Sequence, residues 1–89
     1  MRSIFYTAQF RKDFKRVGKQ GMEVEKLKTV IAKLAKGETL EEKYKDHPLH
    51  GKYSGARDCH VGPDWILIYA IVQDELRLIR TGSHAELFE

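Results

Sequence analysis

Eight consecutive apolar residues, Trp65 to Val72, constrain the fold of this chain more tightly than anything else in it. A membrane-crossing helix needs about 20 such residues, so the run is too short for one. It is rich in β-branched and aromatic side chains, which suit a pleated sheet. Turn formers bracket it, Gly62-Pro63-Asp64 before and Gln73-Asp74-Glu75 after. A strand that is apolar at every position is expected at the centre of a sheet covered on both faces. Its neighbours read as its partners. Arg57 to Val61 alternates, and Leu76 to Thr81 carries Leu76, Leu78 and Arg80 at every second position, hence on one face. Together the three segments predict an antiparallel meander.

The N-terminal half follows a helical period. Ile4-Phe5-Tyr6 reads as a short strand, and Thr7 as the N-cap of a helix whose face is Phe10, Phe14 and Val17 and which Gly18 stops. A second helix runs from about Met22 to Lys36, with Leu27, Val30, Ile31, Leu34 and Ala35 on one side and Gly37 placed for a left-handed cap. From about Glu38 to Gly55 no period is sustained. This segment is expected to be a connecting loop, with Thr39 and Glu42 available for a capping box around one helical turn. Long connections in compact domains are commonly functional, which directs attention to Asp46 and His47. Strand, helix, helix and three strands predict one α+β domain over residues 1–89, its helical hairpin packed on a twisted, mainly antiparallel sheet.

Charge and cysteine usage narrow the surroundings. The net charge is only +3, but the first nineteen residues hold six basic side chains against one acid. Arg11, Lys12, Lys15, Arg16 and Lys19 lie opposite the apolar face of the first helix, a patch that suits a polyanion or a solvated surface. Cys59 is the only cysteine, so an internal disulfide is excluded. It is expected to be a buried structural thiol. With neither a secretory h-region nor a membrane-spanning run, the chain is expected in the cytoplasm.

Three of the four histidines flank the strands, and they carry the chemistry. Imidazole ionises near neutrality, so several of them converging can share acid and base work. Asp58 and His60, two apart on a strand, share a face, so the carboxylate can orient the ring. Asp64 and Trp65 follow the turn and fall near His60. His47 precedes Pro48, which favours extended backbone. It is either a catalytic loop residue or a turn residue that seats Leu49. His50 reads as a bystander, and no spaced ligand set supports a metal. Arg80 on an apolar face needs either an anion at the rim or a salt bridge to Asp58 or Asp64. Phe88, next to the C-terminus, is poorly placed for a core and well placed to stack on a base.

The segments Asp46-His47-Pro48-Leu49, Arg57-Asp58-Cys59-His60-Val61, Pro63-Asp64-Trp65-Ile66-Leu67-Ile68-Tyr69 and Arg80-Thr81-Gly82-Ser83-His84, in this order, resemble the YafQ branch of the RelE-like toxins of bacterial type II toxin–antitoxin pairs. The resemblance implies an endoribonuclease that needs no metal or other cofactor, cuts mRNA in the ribosomal A site and so stops translation. It implies catalytic roles for His47, His60, Asp64, His84 and Phe88, with Asp58, Trp65 and Arg80 in support and none for Cys59. Lys12, Lys15 and Arg16 are the expected RNA-docking residues. The implied partners are a cognate antitoxin, the ribosome with its mRNA and, as a complex with the antitoxin, operator DNA. Two rivals stand beside this reading: a toxin of the same fold that acts by binding, as gyrase inhibitors of the ParE type do, and a small nucleic-acid-binding module.

Overall fold

The computed structural model describes residues 1–88; Glu89, the last residue of the expected domain, lies outside the described residues. The elements run β1 (Ser3–Tyr6), α1 (Ala8–Lys19), α2 (Val24–Ala35), β2 (His47–Pro48), β3 (Arg57–Gly62), β4 (Trp65–Val72), β5 (Glu75–Gly82) and α3 (His84–Phe88). The sheet order is β1-β5-β4-β3-β2, with β1 parallel to β5 and every other pair antiparallel.

Helices α1 and α2 cover one face of the sheet. Their apolar stripes, including Phe10, Val17, Leu27, Val30 and Leu34, meet Cys59, Leu67, Tyr69, Leu76 and Leu78. The other face has a smaller apolar floor of Ala56, Ile66, Ile68 and Leu87. Burial of β4 on both faces therefore holds from Trp65 to Tyr69 and ends before Ile71 and Val72, which are exposed. Cys59 is fully buried, and desolvation pushes its thiol up to about 12, so it packs as a small hydrophobe.

Several expectations change. Helix α1 runs through Gly18 and ends one residue later, at Lys19. Both helices close with a glycine in the left-handed region, Gly21 at φ 77° and Gly37 at φ 81°, each donating to a carbonyl of the last turn. The segment 38–55 is not structureless. It holds single 3-10 turns at Glu42–Tyr44 and Gly51–Tyr53 and the strand β2, and the cap of the first turn is Glu41, so the Thr39 box does not form.

Arg80 does not share the face of Leu76 and Leu78. Tyr69 pairs with Leu78 but Ile68 with Arg80, so Ile79 is an extra residue. The bulge turns Arg80 to the outer face and Thr81 inward.

Strand β1 ends at Tyr6, opposite Leu78, and leaves the edge of β5 beyond it without a strand partner. Side chains of α1 complete that edge. Thr7 Oγ1 donates to the Ile79 carbonyl at 3.0 Å, Asp13 Oδ2 accepts the Thr81 N–H at 3.2 Å, and Arg16 Nη2 donates to the Thr81 carbonyl at 2.8 Å. A buried backbone group without a partner costs about 1–3 kcal/mol, so these bonds fix where the C-terminal end of β5 lies.

Asp13 is the hub of this arrangement and is fully buried. It also accepts Arg80 Nε at 2.9 Å and Nη2 at 3.0 Å, Arg16 Nη1 at 2.7 Å and Gln9 Nε2 at 3.2 Å. Burial alone would raise its pKa, but these hydrogen bonds outweigh burial and hold the carboxyl below the usual range.

Candidate active site

The outer face gathers the polar residues that the sequence singles out. Strand register sets His47, Asp58, Ile68 and Arg80 side by side across β2, β3, β4 and β5, and His60, Ile66 and Gly82 in the next row. Ile66 and Ile68 are buried, so the polar side chains stand around an apolar floor.

His84 reaches this floor through α3, whose start is a capping box. Ser83 Oγ accepts the Glu86 N–H at 3.2 Å and Glu86 Oε1 accepts the Ser83 N–H at 2.9 Å. Glu86 is tied back to α1, with Arg16 Nε at 3.1 Å and Gln20 Nε2 at 3.3 Å. Gly82 makes the approach possible, because a Cβ there would lie 2.5 Å from Arg16 Nη2.

Asp64, at the hairpin tip, accepts both the backbone N–H of His84 at 3.1 Å and its ring Nδ1 at 3.2 Å. These two bonds, the backbone one first, hold its carboxyl below the usual range. An ionised carboxylate only accepts, so His84 carries a proton on Nδ1 and presents Nε2 to a substrate. The His60 ring lies 5.7 Å from that of His84, and Phe88 lies 5.9 Å from His84 and 5.9 Å from Tyr53. Phe88 is 43% exposed, a free aromatic surface beside the histidines.

His47 is held from both sides. Its Nδ1 lies 2.7 Å from the Lys45 carbonyl, which can only accept, so the proton is on Nδ1. Its Nε2 lies 3.1 Å from Asp58 Oδ1, too poorly aligned for a good hydrogen bond, and that oxygen has no other partner among the described residues. Asp58 is buried at 3% exposure, and burial raises its carboxyl above the usual range, while His47, His60 and His84 all pull it down. One under-satisfied carboxylate thus lies within electrostatic reach of all three imidazoles.

Not every expected site residue joins this group. Asp58 contacts His47 on the neighbouring strand in place of orienting His60, and Asp64 serves His84. Trp65 is buried at 3% exposure and donates from Nε1 to Thr81 Oγ1 at 3.0 Å, so it offers no face to a base. Arg80 pairs with Asp13, not with Asp58 or Asp64, because the bulge and the free β5 edge bring it to α1. Arg16 belongs to the same clamp, whereas Lys12 and Lys15 are exposed.

Sequence reasoning missed Asp13 and the Ser83–Glu86 box, and it singled out Asp46 without its role as an anchor, which accepts the Tyr69 hydroxyl at 2.6 Å and Arg57 Nε at 3.1 Å. Two of these had signals. Asp13 lies on the apolar stripe between Phe10 and Val17, and Ser83-x-x-Glu86 is itself a helix-start pattern.

The family described as the bacterial toxin of type II toxin–antitoxin systems, YafQ, matches residues 2–89. The mRNA interferase toxin YafQ of Escherichia coli strain K12 is 47% identical over 88 residues, covering 98% of this chain and 96% of its own. The crystal structure of YafQ from E. coli strain BL21(DE3) superposes with a TM-score of 0.95 at 44% identity, covering both chains fully. YafQ in the E. coli DinJ–YafQ complex does so with a TM-score of 0.93 at 46% identity, again over both full chains. With sequence, fold and the ordered segments in agreement, the chain belongs to the YafQ family of type II toxins.

Proposed function

We propose that this protein is an mRNA endoribonuclease that cuts by attack of the ribose 2′-hydroxyl on the adjacent phosphorus. The observation that carries this reading is the convergence of His47, His60 and His84 on one face, with His84 Nδ1 held by Asp64 and Asp58 beneath. The names of its relatives agree, since the E. coli protein is an mRNA interferase toxin.

In this mechanism His60 or His47 takes the proton of the 2′-hydroxyl, and its oxygen forms a bond to phosphorus. The bond to the 5′-oxygen breaks as His84 protonates that oxygen, giving a 2′,3′-cyclic phosphate and a 5′-hydroxyl. The base imidazole ends with one proton more and His84 with one fewer, so the step balances between two rings without a metal. Phe88 stacks on a base. Arg80 directs two donor atoms at Asp13, so only its remaining edge, beside Tyr53, is available to the phosphorane.

The site is open. The His47, Asp64 and His84 side chains are 50%, 67% and 56% exposed, so the reacting groups stand open to solvent. That favours cleavage of mRNA already held by a second surface, the ribosomal A site, in the cytoplasm. Lys12 and Lys15 on α1 fit docking to ribosomal RNA or to an acidic segment of an antitoxin; E. coli YafQ forms a toxin–antitoxin complex with DinJ. That pair would also bind operator DNA. No helix is long and apolar enough to cross a membrane among the described residues.

Induced expression of wild type beside His84→Ala and His60→Ala, with growth and mRNA ends followed, tests the reading. Arrest with cut messages in wild type and neither in the variants is the expected result. Equal toxicity of all three would favour a toxin that acts by binding.

A further inference from the structure

The histidine face continues, round the end of β3, into a groove of about 520 Å³ that no role assigned so far uses. Its walls are the first turns of α2 with Lys26 and Thr29, the 3-10 turn with Lys43, Tyr44 and Lys45, and the hairpin end from His60 to Pro63. His60 belongs to both surfaces: its ring meets His84 on one side and lines the groove on the other.

Four features suit this groove to a polyanionic strand. Strand β2 pairs only with Arg57 and Asp58, so the rest of β3 has no strand partner on that side, and the groove follows this open edge. Lys26, Lys43 and Lys45 are all exposed, and none has a carboxylate within ion-pair distance among the described residues. Lys43 lies over the Tyr44 ring at 5.2 Å, which holds its ammonium at the wall. Lys45 is in the left-handed region at φ 48°, and its carbonyl anchors His47, so one backbone turn sets both a groove lysine and a site histidine. The basic face of α1 is a different surface, since among the described residues none of α1 lines the groove.

We propose that this groove is a phosphate-binding subsite for the RNA strand next to the scissile bond. Lys26, Lys43 and Lys45 neutralise successive phosphates and lead the chain to His60. This inference rests on the ribonuclease reading, which it deepens by giving the substrate a path.

The test uses a short 2′-O-methyl RNA oligonucleotide, which binds but cannot be cut, so it needs no turnover. Affinity is measured against salt for wild type, for Lys26→Gln/Lys43→Gln/Lys45→Gln and for Lys12→Gln/Lys15→Gln. Each phosphate neutralised on a single strand adds roughly 0.7 to the salt slope, so the groove variant should lose about 2 from it. The α1 variant should lose less from the slope than the groove variant does. Amide signals of Thr29, Val61 and Gly62 should shift on titration of wild type. An unchanged slope in the groove variant, or a loss confined to the α1 variant, would overturn the proposal. So would shifts of these amides by an acidic peptide but not by RNA, since the groove would then be a protein-docking surface. Failure of wild type to cleave mRNA held on ribosomes, with the slopes as expected, would remove the ribonuclease reading and leave the groove as an RNA-binding site.

Discussion

Asp13 and Asp58 are both buried carboxylates, yet the chain treats them in opposite ways. Asp13 accepts five hydrogen bonds, from Gln9, both ends of the Arg80 fork, Arg16 and the Thr81 N–H, and its pKa falls. Asp58 has one misaligned imidazole contact, and its pKa rises. The first satisfies a carboxylate completely and welds α1 to the edge of β5. The second leaves a carboxylate under-satisfied below three groups that can hold protons. A buried charge with every partner in place serves the fold, whereas one left short of partners beside titratable groups is the signature expected of a working site.

The largest effect should come from breaking the complete set. Asp13→Ala leaves Arg80 and the Thr81 N–H without their partner and should cost about 3–5 kcal/mol, lowering the melting temperature by roughly 12 °C or more. Activity should disappear with it, because the same clamp holds α3 and His84. Thermal unfolding read beside RNA cleavage checks this, and an unchanged melting temperature would remove Asp13 from its central place.

Acid unfolding sharpens the contrast. The lowered pKa of Asp13 gives stability that is present above the ordinary carboxyl value of 3.8 and is lost as pH falls through its folded value, below 3.8. The raised pKa of Asp58 acts in the other direction, giving stability that is present below 3.8 and lost as pH rises through its folded value, above 3.8. Stability curves against pH should therefore flatten below 3.8 for Asp13→Asn and above 3.8 for Asp58→Asn. Curves altered in the same window would contradict the assignment.

A smaller effect should separate core from site. Trp65→Phe removes the bond to Thr81 Oγ1 and should cost about 1–2 kcal/mol, with cleavage per folded molecule unchanged. A fall in cleavage without a fall in stability would return Trp65 to the substrate.

Much of this was legible in the sequence, for physical reasons that differ by element. The apolar run at Trp65–Val72, the Thr7 cap and the stripe of α2 are periodic or local signals, and the elements follow them. The gathering of His47, His60 and His84 was suggested by their places beside the strands and by the family resemblance, but strand register, not spacing, brings them together. What was lost depends on contacts across the chain. The bulge at Ile79 turned Arg80 over, and nothing near Arg80 announces it. Arg16 looked like solvated charge until the short β1 left an edge for it to fill. The strand at His47–Pro48 is two residues long and exists only because β3 supplies its partner.

The most direct measurement is Asp58→Asn, with unfolding free energy and RNA cleavage read on the same preparation at neutral pH. The account predicts stability at or above wild type, because a charge held above its usual pKa by burial is gone. It predicts cleavage lower by about tenfold or more, matching the loss of a charge-assisted contact of roughly 1.5 kcal/mol or more at the histidines. Stability that falls as it does for Asp13→Ala, with cleavage per folded molecule intact, would show that Asp58 serves the fold and contradict the account.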